Sequence, residues 1–511
     1  MPKLVLLWLS AGFLAGITIA GEVSDIVLLP QLGILILIGS LCAGFFKKKK
    51  HQKGLFLSLL VVAFLLGMLR YQAEEGGLRS GDTVITQIEN RTVTMQGIVQ
   101  EPTNEYIDYS ETKLKLTQYR DENGIWQPCD AILVMRLPAS FQFDYHTQIT
   151  FEGKITPTVA ADEKPHTVWL KRNGVDYQTF YPTISSAVPN SKASFMAILY
   201  QFKTRAYDLL QTLMPFPESE LVAGIVLGIE SRIPAYLQNA YRLTGTAHII
   251  AISGFNITLL AASISHLCNR IFPYRMGAMI SFAAIILYTL LVGAQPAVLR
   301  AAIMGMLAIP ATLIGRKVIG VHALAIAAAC MALENPYILW DIGFQLSFCA
   351  TFGILTYIDP LTEKTDRFLN RVAAPSREWL LGIIQENVLT TLSAQIATLP
   401  ILIQHFGQFP LISPLVNTLI LPLQPFLMEL GGLAVLLSML CYPLGRIAGL
   451  IAWFPAALSN QIVLLFAQIP FTAILNSNGW YWGSIAINLF FLLRIIQERR
   501  NKQQKQAYRL T

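Results

Sequence analysis

Apolar runs close to the ~20 residues needed to cross a bilayer recur along this chain, and they constrain its fold more than any other feature. Three come first, at about residues 4–20, 26–46 and 54–69. From residue 220 onward they follow at roughly 246–268, 274–293, 297–315, 318–334, 337–358, 380–403, 410–427, 429–445, 448–468 and 479–496. Only 14% of the 511 residues are charged and 54% are hydrophobic, against about 25% charged in an average soluble protein. That balance argues against a water-soluble globule, a disordered chain and a fibre. The expected class is a polytopic α-helical membrane protein.

Basic loops orient the runs. Lys47-Lys48-Lys49-Lys50-His51-Gln52-Lys53 is expected to be cytoplasmic, which with Lys3 places the N-terminus inside and residue 70 outside. The first run has a single Lys before it and no small-x-small cleavage site, so it reads as a retained helix. Alternating the later spans puts Arg270 to Arg275, Arg316-Lys317 and Lys364 to Arg377 inside. The basic tail, Arg494 to Arg509, should also be inside, but ten full spans would leave it outside. One candidate between 380 and 470 is therefore expected to be re-entrant or broken. Pro400, Pro410, Pro414, Pro422 and Pro425 make that stretch the natural place.

Residues 71–190 differ. They carry ten Lys+Arg and sixteen Asp+Glu, a net −6, so the remainder of the chain holds +13. Short β-type runs recur at Thr92–Gln100, Lys113–Tyr119, Ala131–Leu137, Gln148–Ile155 and Val168–Phe180, punctuated by turn residues such as Asn173-Gly174. This predicts an inserted extracytoplasmic small β-barrel (OB-like) domain. Phe195, Ile198, Leu199, Phe202, Ala206, Leu209 and Leu213 then fall at helical spacing, as in an amphipathic helix on the membrane surface or an ordinary packed linker. The expected organisation is three transmembrane helices over 1–70, the β domain over 71–190, the interfacial helix over 191–218, a transmembrane domain over 219–496 and a basic cytoplasmic tail over 497–511.

Polar groups inside a membrane are costly, about 2.5–3.5 kcal/mol for a central charge on insertion scales, so they mark candidate sites. On an unbroken helix Thr244, His248, Asn256 and Ser263 share one sector, which would line a cavity or bond a neighbouring helix; Gly254 is the place for an interruption. Arg300 follows Pro296, which can start a helix, and sits about one turn inside it. Asp341 and Gln345 are i,i+4 neighbours, and Asp341 is the expected ion partner of Arg300. Asn387, Thr391, Gln395 and Thr398 form a polar face over 385–398, implying a water-filled path or a partner helix. Several chemistries lack their residues. No phosphate-cradling GxxxxGK[ST] loop is present, the seven histidines form no metal-ligand array, and the six cysteines show no CxxC spacing. Ser253 with His248 suggests an intramembrane serine nucleophile and its base, but the two lie about 140° apart on a regular helix. No catalytic residue, metal or cofactor is expected.

These clusters resemble the competence-domain membrane proteins of the ComEC family. The resemblance rests on Gly245-Thr246-Ala247-His248-Ile249-Ile250-Ala251-Ile252-Ser253-Gly254, on Pro296 to Ala301 around Arg300, and on Asn335-Pro336 with Asp341 to Phe348. Ala394-Gln395-Ile396-Ala397-Thr398-Leu399-Pro400, Phe406-Gly407 and Asn417 continue it, over about residues 215–480. It implies a channel taking single-stranded DNA across the bacterial cytoplasmic membrane during transformation, with three helices and an external OB-like domain before the channel. The closing pattern of that domain is Trp169-Leu170-Lys171-Arg172-Asn173-Gly174-Val175. Members often have His where Asn256 stands, so no metal or proton role carries over to it. Longer members add a metallo-β-lactamase-like domain proposed to degrade one strand; a form without it is expected to move DNA without cutting it.

Implied partners are single-stranded DNA, membrane lipid, an external DNA-binding protein and a cytoplasmic helicase. A homo-oligomer and a separate nuclease are left open. Lys154, Lys171 and Arg172 are the expected DNA-contacting residues of the β domain, whose aromatics could stack bases or fill its core. A transporter of another solute, or an intramembrane hydrolase using Ser253, are the alternative functions.

Overall fold

The computed structural model describes residues 5–22, 51–81, 91–121, 123–158, 174–189, 194–369, 382, 384–469, 472–474 and 478–508. The expected helix at 26–46 lies outside these residues, as do Lys171 and Arg172. The chain forms two compact units, Met1–Asp208 with Ala325–Asp341, and Leu209–Leu324 with Ile342–Thr511.

The first unit opens with α1 (Val5–Glu22) and α2 (His51–Gly81) packed together. A Cβ at Gly16 would strike Phe64 O, and one at Gly67 would strike Phe13 O. The two backbones therefore touch reciprocally, the contact that small residues allow between membrane helices. Ile17, Ala20 and Met68 are buried. Arg70 then donates through Nε to Leu333 O at 2.7 Å and through Nη2 to Glu334 O at 2.7 Å, while Nη1 pairs with Glu74 at 2.6 Å. It caps carbonyls at a helix C-terminus that have no partner within their own helix.

The sheet contains β1 (Thr92–Val99), β2 (Asn104–Glu105), β3 (Tyr109–Arg120), β4 (Trp126–Pro138), β5 (Gln148–Lys154), β6 (Thr156–Pro157), β7 (Tyr177–Phe180) and β8 (Thr183–Val188). Its order is β6-β7-β4-β3-β1-β5-β8, with β2 on β3. All pairs are antiparallel except β4 with β7. Alternate residues Leu114, Leu116, Leu133, Met135, Leu137, Ile149 and Phe151 are fully buried in one core, as the period of two requires. Bulges at Gln96/Gly97, Leu116/Gln118 and Thr150/Phe151 bend the strands.

The expected closed barrel is not formed. β5 and β7 come close, since a Cβ at Gly153 would lie 2.9 Å from Thr179 Oγ1 and 2.7 Å from Pro182 Cβ. However, β5 already pairs with β1 and β8, and β7 with β4 and β6. Both edges of each seam strand are taken, so no ladder can join them. Four of the five expected strands lie within β1, β3, β4 and β5 to within a residue. The fifth is described from Gly174 onward and is a strand over Tyr177–Phe180, and β2, β6 and β8 were not expected. Phe151, 0% exposed, fills the centre of this core. Phe151→Ala is expected to cost about 3–5 kcal/mol, read as earlier thermal loss of the β-sheet circular dichroism signal; an unchanged midpoint would contradict this packing. The unit ends in α3 (Phe195–Leu213), which continues into the second unit. Leu199, Ala206, Leu210 and Leu213 are buried, but Phe195 and Ile198 are 59% and 62% exposed, so the apolar face is only partly covered within the protein.

In the second unit α4 (Glu218–Leu227) is buried from Ser219 to Leu227 and ends on Gly228 at φ +72°, the left-handed cap glycine adopts freely. Glu218 and Glu220 occupy its first turn, where the helix dipole favours acids. Glu218 accepts from Asn460 and Glu220 from Gln211. Then come α5 (Ala235–Leu243), α6 (Ala247–Ile250), α7 (Gly254–Ile271), α8 (Tyr274–Val292), α9 (Pro296–Leu313) and α10 (Gly320–Glu334), which passes into the first unit. A 3-10 turn at Pro336–Trp340 precedes α11 (Ile342–Leu369), and a π turn at Ile384–Leu389 leads into α12 (Thr390–Phe406). Strand β9 (Gln408–Pro410) pairs with β10 (Thr472–Ile474). Between them lie α13 (Ser413–Ile420), α14 (Gln424–Leu440) and α15 (Tyr442–Ala467), and α16 (Asn478–Tyr508) follows.

Among the described residues, seven helical runs are long and apolar enough to cross a membrane, and the chain is a multi-pass membrane protein. The two expected spans 410–427 and 429–445 merge into a single run, Ser413–Leu440, broken by the 3-10 turn Leu421-Pro422-Leu423. Pro400, by contrast, sits inside α12 without ending it.

Candidate functional site

The helix expected to run through Thr244 to Ser263 is broken. Thr244 caps α5, α6 spans four residues, and Ala251 to Ser253 are extended before Gly254 starts α7. Thr244 and Thr246 are fully buried and share a 2.8 Å hydrogen bond. Gly245, at φ +71°, lies against Pro410 and Ser413. Its carbonyl accepts from the His248 ring and, at 3.3 Å, from Ser413 Oγ, which in turn accepts from Asn417 Nδ2 at 3.2 Å. Asn417 Oδ1 is buried without a partner among the described residues. His248 itself remains exposed.

A second polar chain lies at the other end of the break. Ser253 Oγ bonds Asn256 Oδ1 at 3.4 Å, and Asn256 Nδ2 donates to Ile225 O at 3.2 Å. Arg300 sits over the start of α7, because a Cβ on Gly254 would come within 2.7 Å of its Nη2 and 3.0 Å of Ala301 Cβ. Gly254 thus leaves room for a guanidinium beside backbone N–H groups that no earlier turn of helix satisfies. Arg300 Nε donates to Ser347 Oγ at 2.8 Å and Nη1 to Met304 Sδ at 3.7 Å. Asp341, the ion partner expected from the sequence, is not among the groups that Arg300 bonds. It also precedes α11 in extended backbone rather than sharing a helix face with Gln345.

Glu230 is the residue that sequence reasoning missed. It accepts from Gln295 Nε2 at 3.3 Å and from the Ile252 N–H, so it holds the extended strand of the break from one side while Arg300 flanks its end. The available signal was an acid alone in the apolar stretch that follows residue 220.

The structure therefore brings together His248, Ser253, Gly254, Asn256, Arg300 and Asn417 around one break. The face over 385–398 lies on the π turn and α12, both of which pack against α13, the helix that bears Asn417. Thr391 and Thr398 are buried and donate to Asn387 O at 2.7 Å and Ala394 O at 3.0 Å. α12 packs tightly on α11, where a Cβ on Gly353 would meet Ser393 O. Those threonines therefore satisfy themselves within a packed helix pair, while Gln395 is half-buried.

The first unit holds a separate groove of about 230 Å³, lined by Tyr145, Tyr200, Arg205, Asp144 and Asp208 among others. The Tyr145 and Tyr200 rings lie 5.2 Å apart. Burial pushes the Tyr200 phenol up to about 12 and the Lys203 ammonium down to about 8, the latter opposed by Glu101. A lowered ammonium pKa means the unfolded chain binds the extra proton, so stability should rise as pH increases from about 8 to the ordinary lysine value of 10.5. Denaturation of wild type and Lys203→Met across that window checks the sign; an equal slope in both would contradict it. Lys154 is exposed at the end of β5.

A family model described as Competence protein matches residues 225–501, a range containing every residue gathered at the break. ComE operon protein 3 of Bacillus subtilis (strain 168) is 28% identical over 268 residues, 52% of this chain and 32% of that protein. Uncharacterized protein YcaI of Escherichia coli (strain K12) is 28% identical over 305 residues, 56% of this chain and 37% of that protein. The chain thus spans about a third of the length of these curated relatives. No solved structure matches. With more than half of its length matched, including the broken segment and Arg300, the chain belongs to the Competence protein family.

Proposed function

We propose that this protein passes single-stranded DNA across the bacterial cytoplasmic membrane, and that the break between Thr244 and Asn256 is where the strand is handled. The observation carrying this is Arg300 beside the N-terminus of α7, within a bundle of apolar helices. A helix start carries a partial positive charge and free N–H donors, and a guanidinium adds a planar fork suited to phosphate oxygens. Exposed His248 supplies a further polar contact along the same segment. Family membership and the similarity to ComE operon protein 3 support the reading.

In this reading the β-sheet unit is extracytoplasmic, with Tyr145 and Tyr200 as a stacking face and Lys154 as a phosphate contact. Counting Ser413–Leu440 once, and taking the shorter apolar helices Gly254–Cys268, Gly320–Glu334 and Tyr481–Ile495 as crossings too, gives nine spans after residue 220 and puts the basic tail in the cytoplasm, as the positive-inside rule demands. Transport needs no bond-breaking step. An external DNA-binding protein would deliver the strand, and a cytoplasmic helicase or an ion gradient would give direction. The test is internalisation of end-labelled single-stranded DNA by a deletion strain complemented with this chain. Label protected inside the cells supports the proposal. Label no higher than in the deletion strain, with the protein in the membrane, overturns it in favour of another solute.

A further inference from the structure

We propose that the groove beside α3 is a base-reading subsite for single-stranded DNA: it takes a nucleobase that carries an exocyclic amino group, with the Asp144 carboxylate as the acceptor. The inference rests on the DNA-handling reading above and names what one part of that reading recognises. The groove, of about 230 Å³, lies wholly within the first unit. Ala197, Gln201, Thr204 and Asp208 line it at i, i+4, i+7 and i+11, which is one face of α3. The segment before β5 contributes Asp144 and Tyr145.

The rings in this groove are held in place. Tyr145 and Tyr200 meet at 5.2 Å with their planes 42° apart. A base clamped between two rings would need two stacking intervals of roughly 3.4 Å, so a base lies across the open faces of this pair and not between them. His146 braces Tyr145 edge-on, at 5.2 Å and 80°. It does so from φ +69°, a left-handed backbone that is uncommon outside glycine and clusters at segments holding a ligand. Thr147 N–H closes the turn on Asp144 O at 3.2 Å. The polar side chains around the rings are, by contrast, uncommitted. Among the described residues no hydrogen bond or ion pair engages the side chains of Asp144, Gln201, Thr204, Arg205 or Asp208. A concave site with aromatic walls and a few converging polar groups is the form that ligand sites take.

Charge decides which part of a nucleotide enters. Asp144 and Asp208 outnumber Arg205 in the groove, and residues 71–190 carry a net −6. Like charges repel, so a phosphate is kept out of the groove. A neutral base is not. Its amino group is a donor, and a carboxylate only accepts. Aspartate accepting from the cytosine amino group is such a pairing. Uracil and thymine place a carbonyl oxygen at the same position, and that oxygen faces the carboxylate as one acceptor against another. Asp144 adjoins Tyr145 in sequence, which puts the acceptor beside the ring that bears the base. Arg205 is the one cation lining the groove, and it serves the phosphate that follows the base.

Binding of labelled oligo-dC and oligo-dU, each of about 12 nucleotides, to the full-length protein in detergent tests this by fluorescence anisotropy at one salt concentration. The two probes differ only on the pairing edge of the base. Wild type is expected to bind oligo-dC at least about 5-fold more tightly, the lower end of what one base-edge contact discriminates. In Asp144→Asn the ratio should fall close to one, because an amide both accepts and donates. Glu152→Gln removes the same charge from an exposed position on β5 outside the groove, and it should keep the wild-type ratio. Equal binding of the two probes by wild type, no binding of either, or an unchanged ratio in Asp144→Asn overturns the proposal. Should Asp144→Asn fail to accumulate, photocrosslinking of wild type to an oligonucleotide bearing iodinated deoxycytidine decides: an adduct at Tyr145 or Tyr200 is expected, and adducts only elsewhere overturn the site. Internalisation by cells is read separately. A base preference without internalisation keeps the subsite and removes the transport reading, and internalisation without a preference does the reverse.

Discussion

Arg300→Ala is expected to lower single-stranded DNA uptake about 10- to 100-fold while the protein still accumulates in the membrane. The range corresponds to the ~1.5–3 kcal/mol carried by a hydrogen bond to a charged group. The folded protein loses little, because among the described residues Arg300 hydrogen-bonds only to the Ser347 hydroxyl and the Met304 sulfur, neither of them a charge left unpaired. Transport loses more, because the guanidinium beside the start of α7 is removed. Arg300→Lys should fall between, since an ammonium keeps the charge but lacks the planar fork. Labelled-DNA uptake normalised to membrane protein measures the effect. Unchanged uptake in Arg300→Ala would remove the phosphate contact from the account.

The second large effect is expected at Gly245. Its φ of +71° disfavours any Cβ, and the space a Cβ would enter is held by Pro410 and by Ser413, whose Cβ would lie 2.8 Å away. Left-handed backbone costs a β-branched residue roughly 1–2 kcal/mol, and displacing the neighbouring strand adds an overpacking cost of about 1–3 kcal/mol. Gly245→Val should therefore remove most folded protein from the membrane. Gly315 gives the control: its φ is +69°, but nothing lies within 4 Å of its would-be Cβ. Gly315→Ala should carry the backbone strain alone and accumulate nearly as wild type. Equal accumulation of the two variants, measured by detergent-extracted monodisperse protein, would contradict the packing around the break.

The membrane class was legible because length and apolarity of the runs are one-dimensional properties. Breaks were legible only where glycine or proline marked them: Gly254 does start α7, but nothing local distinguishes Pro400, tolerated within α12, from Pro422, which lies in the turn joining α13 and α14. Strands were legible where alternate residues are buried, as in β3, and missed where both faces are exposed, as in β8. Barrel closure depended on which strand takes which edge, a three-dimensional competition that β6 and β8 win. The candidate site was half legible. His248, Ser253, Asn256 and Arg300 stand out as polar residues within apolar runs. Arg70 and Glu230 did not, because their roles are set by partners as distant as 263 and 65 positions along the chain. Helical periodicity also placed Asp341 beside Gln345, whereas the 3-10 turn ends the regular spacing just before α11.

The central claim is that the strand passes the break between Thr244 and Asn256, and site-specific crosslinking tests it most directly. A photoreactive residue replaces His248 in one protein and Leu287, an exposed apolar position on α8, in another. Both are illuminated in cells during uptake of labelled single-stranded DNA. The account predicts a covalent DNA adduct at position 248 and none at 287. Uptake proceeding normally with no adduct at 248, or with equal adducts at both positions, would contradict it.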